Sequence, residues 1–281
     1  MERSAYNVYR IPKRRGGWRE IAEPNPALKE KQRAILRWLM ARRIAPSPYA
    51  HAFVLRRSIV SNARPHVGKQ VVVRIDLEDF FPSVEEGHVR QALVNEGIAG
   101  AIAREIAGLC TMEGHLPQGA PTSPFLSNLV FKPLDYRLAG LARKWDDEFK
   151  MISYTRYSDD LIFSGNYPRL NLIIHPVREI LTEAGFTINR KKTRVLRSSN
   201  RQAVTGVVVN AIPNVGRDLR HRLRGMLHRF KVMLIERKPV ECDLAHVQGM
   251  IAHIGSINSA AARPLRAELQ TVEMLLNVAS R

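Results

Sequence analysis

Residues 151–164 read Met151-Ile152-Ser153-Tyr154-Thr155-Arg156-Tyr157-Ser158-Asp159-Asp160-Leu161-Ile162-Phe163-Ser164. Two apolar, β-prone runs flank a short polar bend. That is a β-hairpin pattern, with strands over 151–157 and 161–164 and Ser158-Asp159-Asp160 as the turn. Adjacent carboxylates in an apolar hairpin raise the free energy unless a cation compensates. A third acid, Asp76, ends the β-branched run Val71-Val72-Val73-Arg74-Ile75-Asp76, which reads as a buried strand. Side by side in one sheet, these strands bring Asp76, Asp159 and Asp160 together. Hard oxygen ligands of this kind suit Mg²⁺. Two such ions about 3.5–4 Å apart can activate a hydroxyl and stabilise the leaving oxygen in phosphoryl transfer. Any one of the three, taken alone, also fits an ordinary turn or cap aspartate.

Outward from the hairpin, helices and strands alternate. Apolar spacing predicts an amphipathic helix over 26–43. A helix is expected after Pro82-Ser83, capped by Ser83, and another over 121–144, bent or restarted at Pro133. Residues 169–184 read as a helix stopped by Gly185, and 204–210 as a strand. Beyond Gly216 the pattern is helical, over about 217–238, 241–254 and 261–279. In the first of these, Leu219, Leu223, Met226, Leu227, Phe230 and Leu234 share one face, while Arg220, Arg224 and Lys231 line another. The fold class is α+β, with a helical C-terminal third.

The chain has 281 residues, 45% hydrophobic and 25% charged, which excludes a disordered or collagen-like polypeptide. Two cysteines, Cys110 and Cys242, stand in no metal-ligand spacing, so neither a disulfide framework nor a zinc finger is expected. No apolar run approaches ~20 residues and the first residues carry no signal-type segment, so a cytoplasmic location without membrane contact is expected. The net charge of +18 is segregated: residues 190–238 hold 14 basic and 2 acidic side chains, and residues 1–43 hold 12 and 4. Segregated positive charge points to a polyanionic partner, most often nucleic acid.

Four ordered segments make the reading specific. Tyr157-Ser158-Asp159-Asp160 resembles the YxDD box of reverse transcriptases. Arg74-Ile75-Asp76-Leu77-Glu78-Asp79-Phe80-Phe81 is similar to their first catalytic motif. Leu116 to Pro124 resembles their PQG-x-x-x-SP loop, and Gly185 to Asn189 with Lys191-Lys192-Thr193 the motif that follows. The resemblance implies a right-hand polymerase fold: fingers over 1–70 and 92–115, an RRM-like antiparallel-sheet palm over 71–210, and a helical thumb over 211–281. It implies an RNA-directed DNA polymerase using two Mg²⁺ ions, with Mn²⁺ as a substitute. Asp76, Asp159 and Asp160 would hold the metals, with the Leu77 carbonyl adding an oxygen. Phe81 would exclude a nucleotide 2′-OH, and Asp79 and Phe80 would offer backbone N–H groups to the triphosphate. Gln118 and Gly119 would approach the incoming dNTP and template. Lys13, with Arg14 as alternative, and Arg19 would clamp phosphates from a Gly-Gly hairpin. Lys192, with Lys191 as runner-up, would protonate the departing pyrophosphate.

Two further segments narrow the family. Asn62-Ala63-Arg64-Pro65-His66 resembles the NAxxH motif of retron reverse transcriptases, and Val204-Thr205-Gly206 their VTG motif. Here the resemblance implies a cognate structured noncoding RNA as template and primer, with synthesis from a guanosine 2′-OH to branched multicopy single-stranded DNA. Antiphage defence with a separate effector protein goes with such systems. Asn62, His66, Arg220, Arg224 and Lys231 are the expected contacts to RNA or to the RNA–DNA hybrid. From the chain's length no appended RNase H, endonuclease, integrase or maturase domain is expected. The alternatives are another stand-alone bacterial reverse transcriptase, diversity-generating or intron-derived, and a catalytically silent RNA-binding scaffold. A basic ribosome-associated protein would explain the charge but not the motifs.

Overall fold

The computed structural model describes residues 1, 3–13, 16–147, 150–236 and 243–279, with side chains through 277. Arg14 and Cys242 lie outside the described residues. In chain order the elements are β1 (Tyr6–Pro12), β2 (Trp18–Pro24), α1 (Pro26–Ala41), α2 (Ile59–Ala63), β3 (Val71–Asp76), α3 (Glu86–Asn95), α4 (Gly100–Cys110), α5 (Ser123–Trp145), β4 (Ser153–Tyr157), β5 (Asp160–Gly165), α6 (Ile174–Glu183), β6 (Arg194–Arg197), β7 (Ala203–Val204), β8 (Val207–Val208), α7 (Arg217–Ile235), α8 (Leu244–Ile257) and α9 (Ser259–Ala279). Two compact units result: residues 1–58 with 70–195, and residues 59–69 with 196–281. Segment 59–69 belongs to the second unit through β7 and β8, where Asn62 meets Thr205 and the Gly68 amide meets the Val209 carbonyl.

The first unit is built on a sheet of order β4-β5-β3-β6, with β5 antiparallel to both β4 and β3. Val71, Val72, Val73 and Ile75 of β3 are buried on both faces, as are Leu161, Ile162 and Phe163 of β5. A continuous apolar run, rather than an alternating one, suits a strand covered on both sides. Helix α5 supplies one cover with a stripe at 128, 131, 135, 138 and 142, all buried. It runs through Pro133 as one helix, without the restart that was one of the two expected outcomes. Proline there offers no N–H to the Leu129 carbonyl, but the core grips Leu129, Phe131, Leu134 and Leu138 on both sides of it. At roughly 1.5–3 kcal/mol per buried large apolar side chain, that grip outweighs the cost of ~3 kcal/mol.

Other expectations shift locally. Ser83 does not cap a helix: its Oγ donates to the Asp79 carbonyl at 3.0 Å, inside a tight turn. Helix α3 begins three residues later, capped by Glu85 in a reciprocal box with His88. Residues 169–184 start as a 3-10 turn, Leu170–Ile173, before α6. Gly185, at φ 78°, ends that helix as expected. The strand expected over 204–210 is instead the two-residue strands β7 and β8 around Thr205-Gly206, both at positive φ.

In the second unit, α7 and α8 each pack on α9. Leu223 and Leu227 of α7 are buried with Val247, Ile251 and Ile254 of α8, so the apolar face read from sequence is the packed one. Among the described residues no helix is long and apolar enough to cross a membrane.

Candidate active site and comparisons with known proteins

The hairpin of β4 and β5 turns on two residues, Ser158 and Asp159; Asp160 is the first residue of β5 rather than part of the turn. Ser158 adopts φ 59°, the left-handed region that tight hairpin turns require. Asp76 stands directly opposite Asp160 in the β3–β5 register, so both side chains share a face. The amide of Leu77 donates to the Asp159 carbonyl at 3.0 Å, which closes the third acid onto the same strand end. The 187–193 loop completes the floor, its Asn189 amide donating to the Asp76 carbonyl at 2.8 Å.

Two cations stand among these acids. Lys192 Nζ lies 3.0 Å from Asp76 Oδ2, and Arg74 Nη2 lies 3.2 Å from Asp160 Oδ2. Lys191 makes no such contact; its carbonyl accepts from Arg194. Burial, then the charge of Asp160, push the Asp159 carboxyl up to about 6. Burial also raises Asp160, against the pull of Arg74. Among the described residues no three His, Cys, Asp or Glu side chains already form a metal cage. The donor chemistry nonetheless fits a divalent ion: three carboxylates gathered at one strand end are hard oxygen donors.

A cleft of about 1060 Å³ opens over this end. Lys13, Arg19, Leu77, Asp79, Phe80, Phe81, Gln118, Gly119, Asp159 and Lys192 all line it. Lys13 and Arg19 are exposed on the β1–β2 hairpin, whose turn closes through the Lys13 amide on the Gly17 carbonyl at 2.9 Å. Phe80 is a core side chain and Phe81 is half-buried, and both line the cleft. The amides of Asp79 and Phe80 have no partner among the described residues. Gly119 is needed for a reason internal to the fold. At φ 126°, a Cβ there would sit 2.8 Å from the Ala22 carbonyl oxygen, and the Ala22 amide donates to the Gln118 carbonyl at 2.7 Å. The loop is thereby pinned to β2.

Sequence reading missed the group that holds the turn. Arg156 is fully buried in β4. It donates to Asp135 at 2.9 and 2.8 Å, to Asn128 Oδ1 at 2.8 Å and to the Ser158 carbonyl at 3.2 Å, and lies over the Phe131 ring. Tyr154 and Ser47 donate to the same Asp135. The signal was available: Asn128 and Asp135 fall on the apolar stripe of α5, where a polar side chain needs a partner. Arg74 was legible too, two residues before Asp76 and so on its face.

The second unit corrects two expected RNA contacts. Asn62 and His66 are both fully buried, so neither side chain is presented to a nucleic acid. Asn62 Nδ2 donates to Thr205 Oγ1 at 3.4 Å, and the Gly68 amide to the Val209 carbonyl at 2.8 Å. The two segments that resemble retron motifs thus pack against each other. On α7, Arg224 and Lys231 are exposed, as the basic stripe requires. Arg220 is half-buried, and its Nε meets no acceptor among the described residues.

An α+β body with strand-end acids beneath a cleft that also carries Lys13, Arg19 and Lys192 suits a nucleotidyl-transferring polymerase. Comparison gives the class independently: residues 11–209 match the family described as reverse transcriptase (RNA-dependent DNA polymerase). The chain is 41% identical over 92% of its length to the retron Mx65 reverse transcriptase of Myxococcus xanthus. It is 31% identical over 95% to the retron Ec86 reverse transcriptase of Escherichia coli, of which it covers 81%. It spans 63% of the Mx65 protein and 62% of the related Mx162 protein. Among solved structures, apo telomerase from Candida tropicalis superimposes with a TM-score of 0.53 at 11% identity, over 94% of this chain and 57% of that one. Telomerase from Candida albicans does so at 0.52 over 95% and 54%. These two bear on fold alone, and the fold is the right-hand polymerase. The chain belongs to the reverse transcriptases, and within them to the retron group.

Proposed function

We propose that this chain is a cytoplasmic RNA-directed DNA polymerase that copies part of its own structured noncoding RNA, starting from a guanosine 2′-OH, into branched single-stranded DNA. The observation that carries the reading is the placement of Asp76 opposite Asp160, with the Leu77 amide on the Asp159 carbonyl. Asp76, Asp159, Asp160 and the Leu77 carbonyl would hold divalent ions, Mg²⁺ with Mn²⁺ as substitute. When bound, such ions lower the pKa of a priming hydroxyl and neutralise charge on the phosphates.

The chain's own groups do the rest. Lys13 and Arg19 bind the phosphates of the dNTP, Arg19 with a fork that matches two oxygens. The unpartnered amides of Asp79 and Phe80 add donors to the same anion. Phe81, on the cleft wall, would exclude a ribose 2′-OH by its bulk. Lys192, which pairs with Asp76 at 3.0 Å, would on release give a proton to the departing pyrophosphate. Fingers, palm and thumb are assigned to residues 1–70 with 92–115, 71–210 and 211–281. The thumb's Arg220, Arg224 and Lys231 would follow the backbone of the RNA or RNA–DNA hybrid, a recognition by shape and phosphate. A role in antiphage defence with a separate effector protein accords with kinship to the retron group.

The test is primer extension on an RNA template with dNTPs and Mg²⁺. Extension is expected from the unmodified chain and should fall to background in Asp159→Ala, with RNA affinity retained. Extension by Asp159→Ala at the original rate would refute the metal assignment.

A further inference from the structure

Phe53 lies in the turn Ala52–Arg57 at the rim of the catalytic cleft, in the same unit. Its ring is 54% exposed, lines the cleft with Ser158, Asp159 and Gln118, and packs on no other ring among the described residues. It is also absent from the side chains that pack on the hydrophobic core. Its backbone adopts φ 58°, and Arg56 follows at φ 62°. A bulky non-glycine residue there is strained, and such strain persists only where surrounding structure imposes it.

The surroundings do impose it. The chain before Phe53 is zipped to β4: the Arg156 amide donates to the Tyr49 carbonyl and the His51 amide to the Arg156 carbonyl, each at 2.8 Å. Asn128 Nδ2 then holds the Ala52 carbonyl at 2.9 Å. Asn128 and Arg156 are the residues that fix the Ser158–Asp159 turn. One buried hub therefore sets the position of an exposed aromatic ring relative to the catalytic acids. A strained, half-covered ring outside the core cluster returns little packing to the fold. It does offer an open π-face beside the exposed cations Arg56 and Arg57.

We propose that Phe53 is a stacking platform for the first unpaired base of the template strand, with Arg56 and Arg57 taking that nucleotide's phosphates. An unpaired base is the one with a free face at the end of a duplex. Stacking on an aromatic side chain tolerates any base, as copying a variable sequence requires. The inference rests on the polymerase reading of the cleft, and adds to it a binding site for single-stranded template.

The probe is an RNA template annealed to a DNA primer, with 2-aminopurine at the first unpaired template position and no dNTP present. Binding of the full chain should quench its fluorescence. Phe53→Leu should remove the quench and weaken the overhanging hybrid by roughly 5- to 150-fold, leaving affinity for a blunt hybrid unchanged. Phe53→Trp should restore both. An unaltered quench in Phe53→Leu, an equal loss on blunt and overhanging hybrids, or a change confined to the KM for dNTP would each overturn the proposal. Primer extension by the unmodified chain, run alongside, keeps the two readings separate. Extension with a Phe53-independent quench ends only the stacking proposal, whereas a Phe53-dependent quench without any extension ends the polymerase reading.

Discussion

Arg156 in the first unit has no exposed surface and meets an acid, an amide and a carbonyl; Arg224 and Lys231 in the second stand on an open helix face with no acid within reach among the described residues. The first kind of charge acts by position. Its desolvation is offset only in one geometry, so it fixes the Ser158–Asp159 turn and cannot be moved without loss. The second kind acts by number. Each exposed cation contributes a similar, salt-screened attraction to any phosphate nearby.

The largest effect should come from breaking the buried pair. Arg156→Met leaves Asp135 charged and unpaired, which should cost about 3–5 kcal/mol of unfolding free energy in urea titration. Arg156→Met with Asp135→Leu should regain much of that stability but little polymerase activity, because the Ser158 carbonyl still lacks its donor. If the single variant behaves like a surface substitution, the contrast between the units collapses.

Asp159 gives an effect of opposite sign. Its folded pKa of about 6 lies above that of the unfolded chain, so folding favours the protonated form. The cost is absent below about pH 4, grows as pH rises through 6, and is complete at pH 8. In EDTA, Asp159→Asn should therefore be more stable than the parent by about 1–3 kcal/mol at pH 8 and no more stable at pH 3.5. Thermal melts at the two pH values decide it.

Asn62→Ala removes a buried hydrogen-bonding group from the second unit and should cost about 1–3 kcal/mol. Hydrogen exchange should quicken at 203–208. Direct loss of an RNA contact with no change in exchange would return Asn62 to the surface role its motif suggested. The smallest effect belongs to Arg224→Gln and Lys231→Gln. Each should lower the slope of log affinity against log salt by roughly 0.7–0.9. An unchanged slope moves the phosphate contact off this face.

The sequence made the local features legible. The catalytic hairpin, the Gly-Gly hairpin of β1 and β2, the strand ending in Asp76 and the two faces of α7 all follow from spacing within a few residues. What escaped was non-local. Whether Pro133 interrupts a helix depends on the core that grips its flanks, and whether Asn62 is a contact or a core group depends on where Thr205 folds. Arg156 read as one more residue of a strand because Asp135, its partner, sits on a separate helix. The role of Gly119 was read as room for substrate, while the close neighbour is the Ala22 carbonyl of another hairpin.

Asn62 and its partner Thr205 are separated by 143 positions along the chain. At a synthesis rate of roughly 5–20 residues per second, the partner leaves the ribosome about 7–30 s after the segment that needs it. During that interval Asn62 and His66 are groups of an unfinished core, and the strands β4, β5 and β6 of the first unit are themselves synthesised only in its second half. The second unit can close only after the last strand of the first unit's sheet has been made, so residues 59–69 stay uncovered in the nascent chain until Thr205 and Val209 follow.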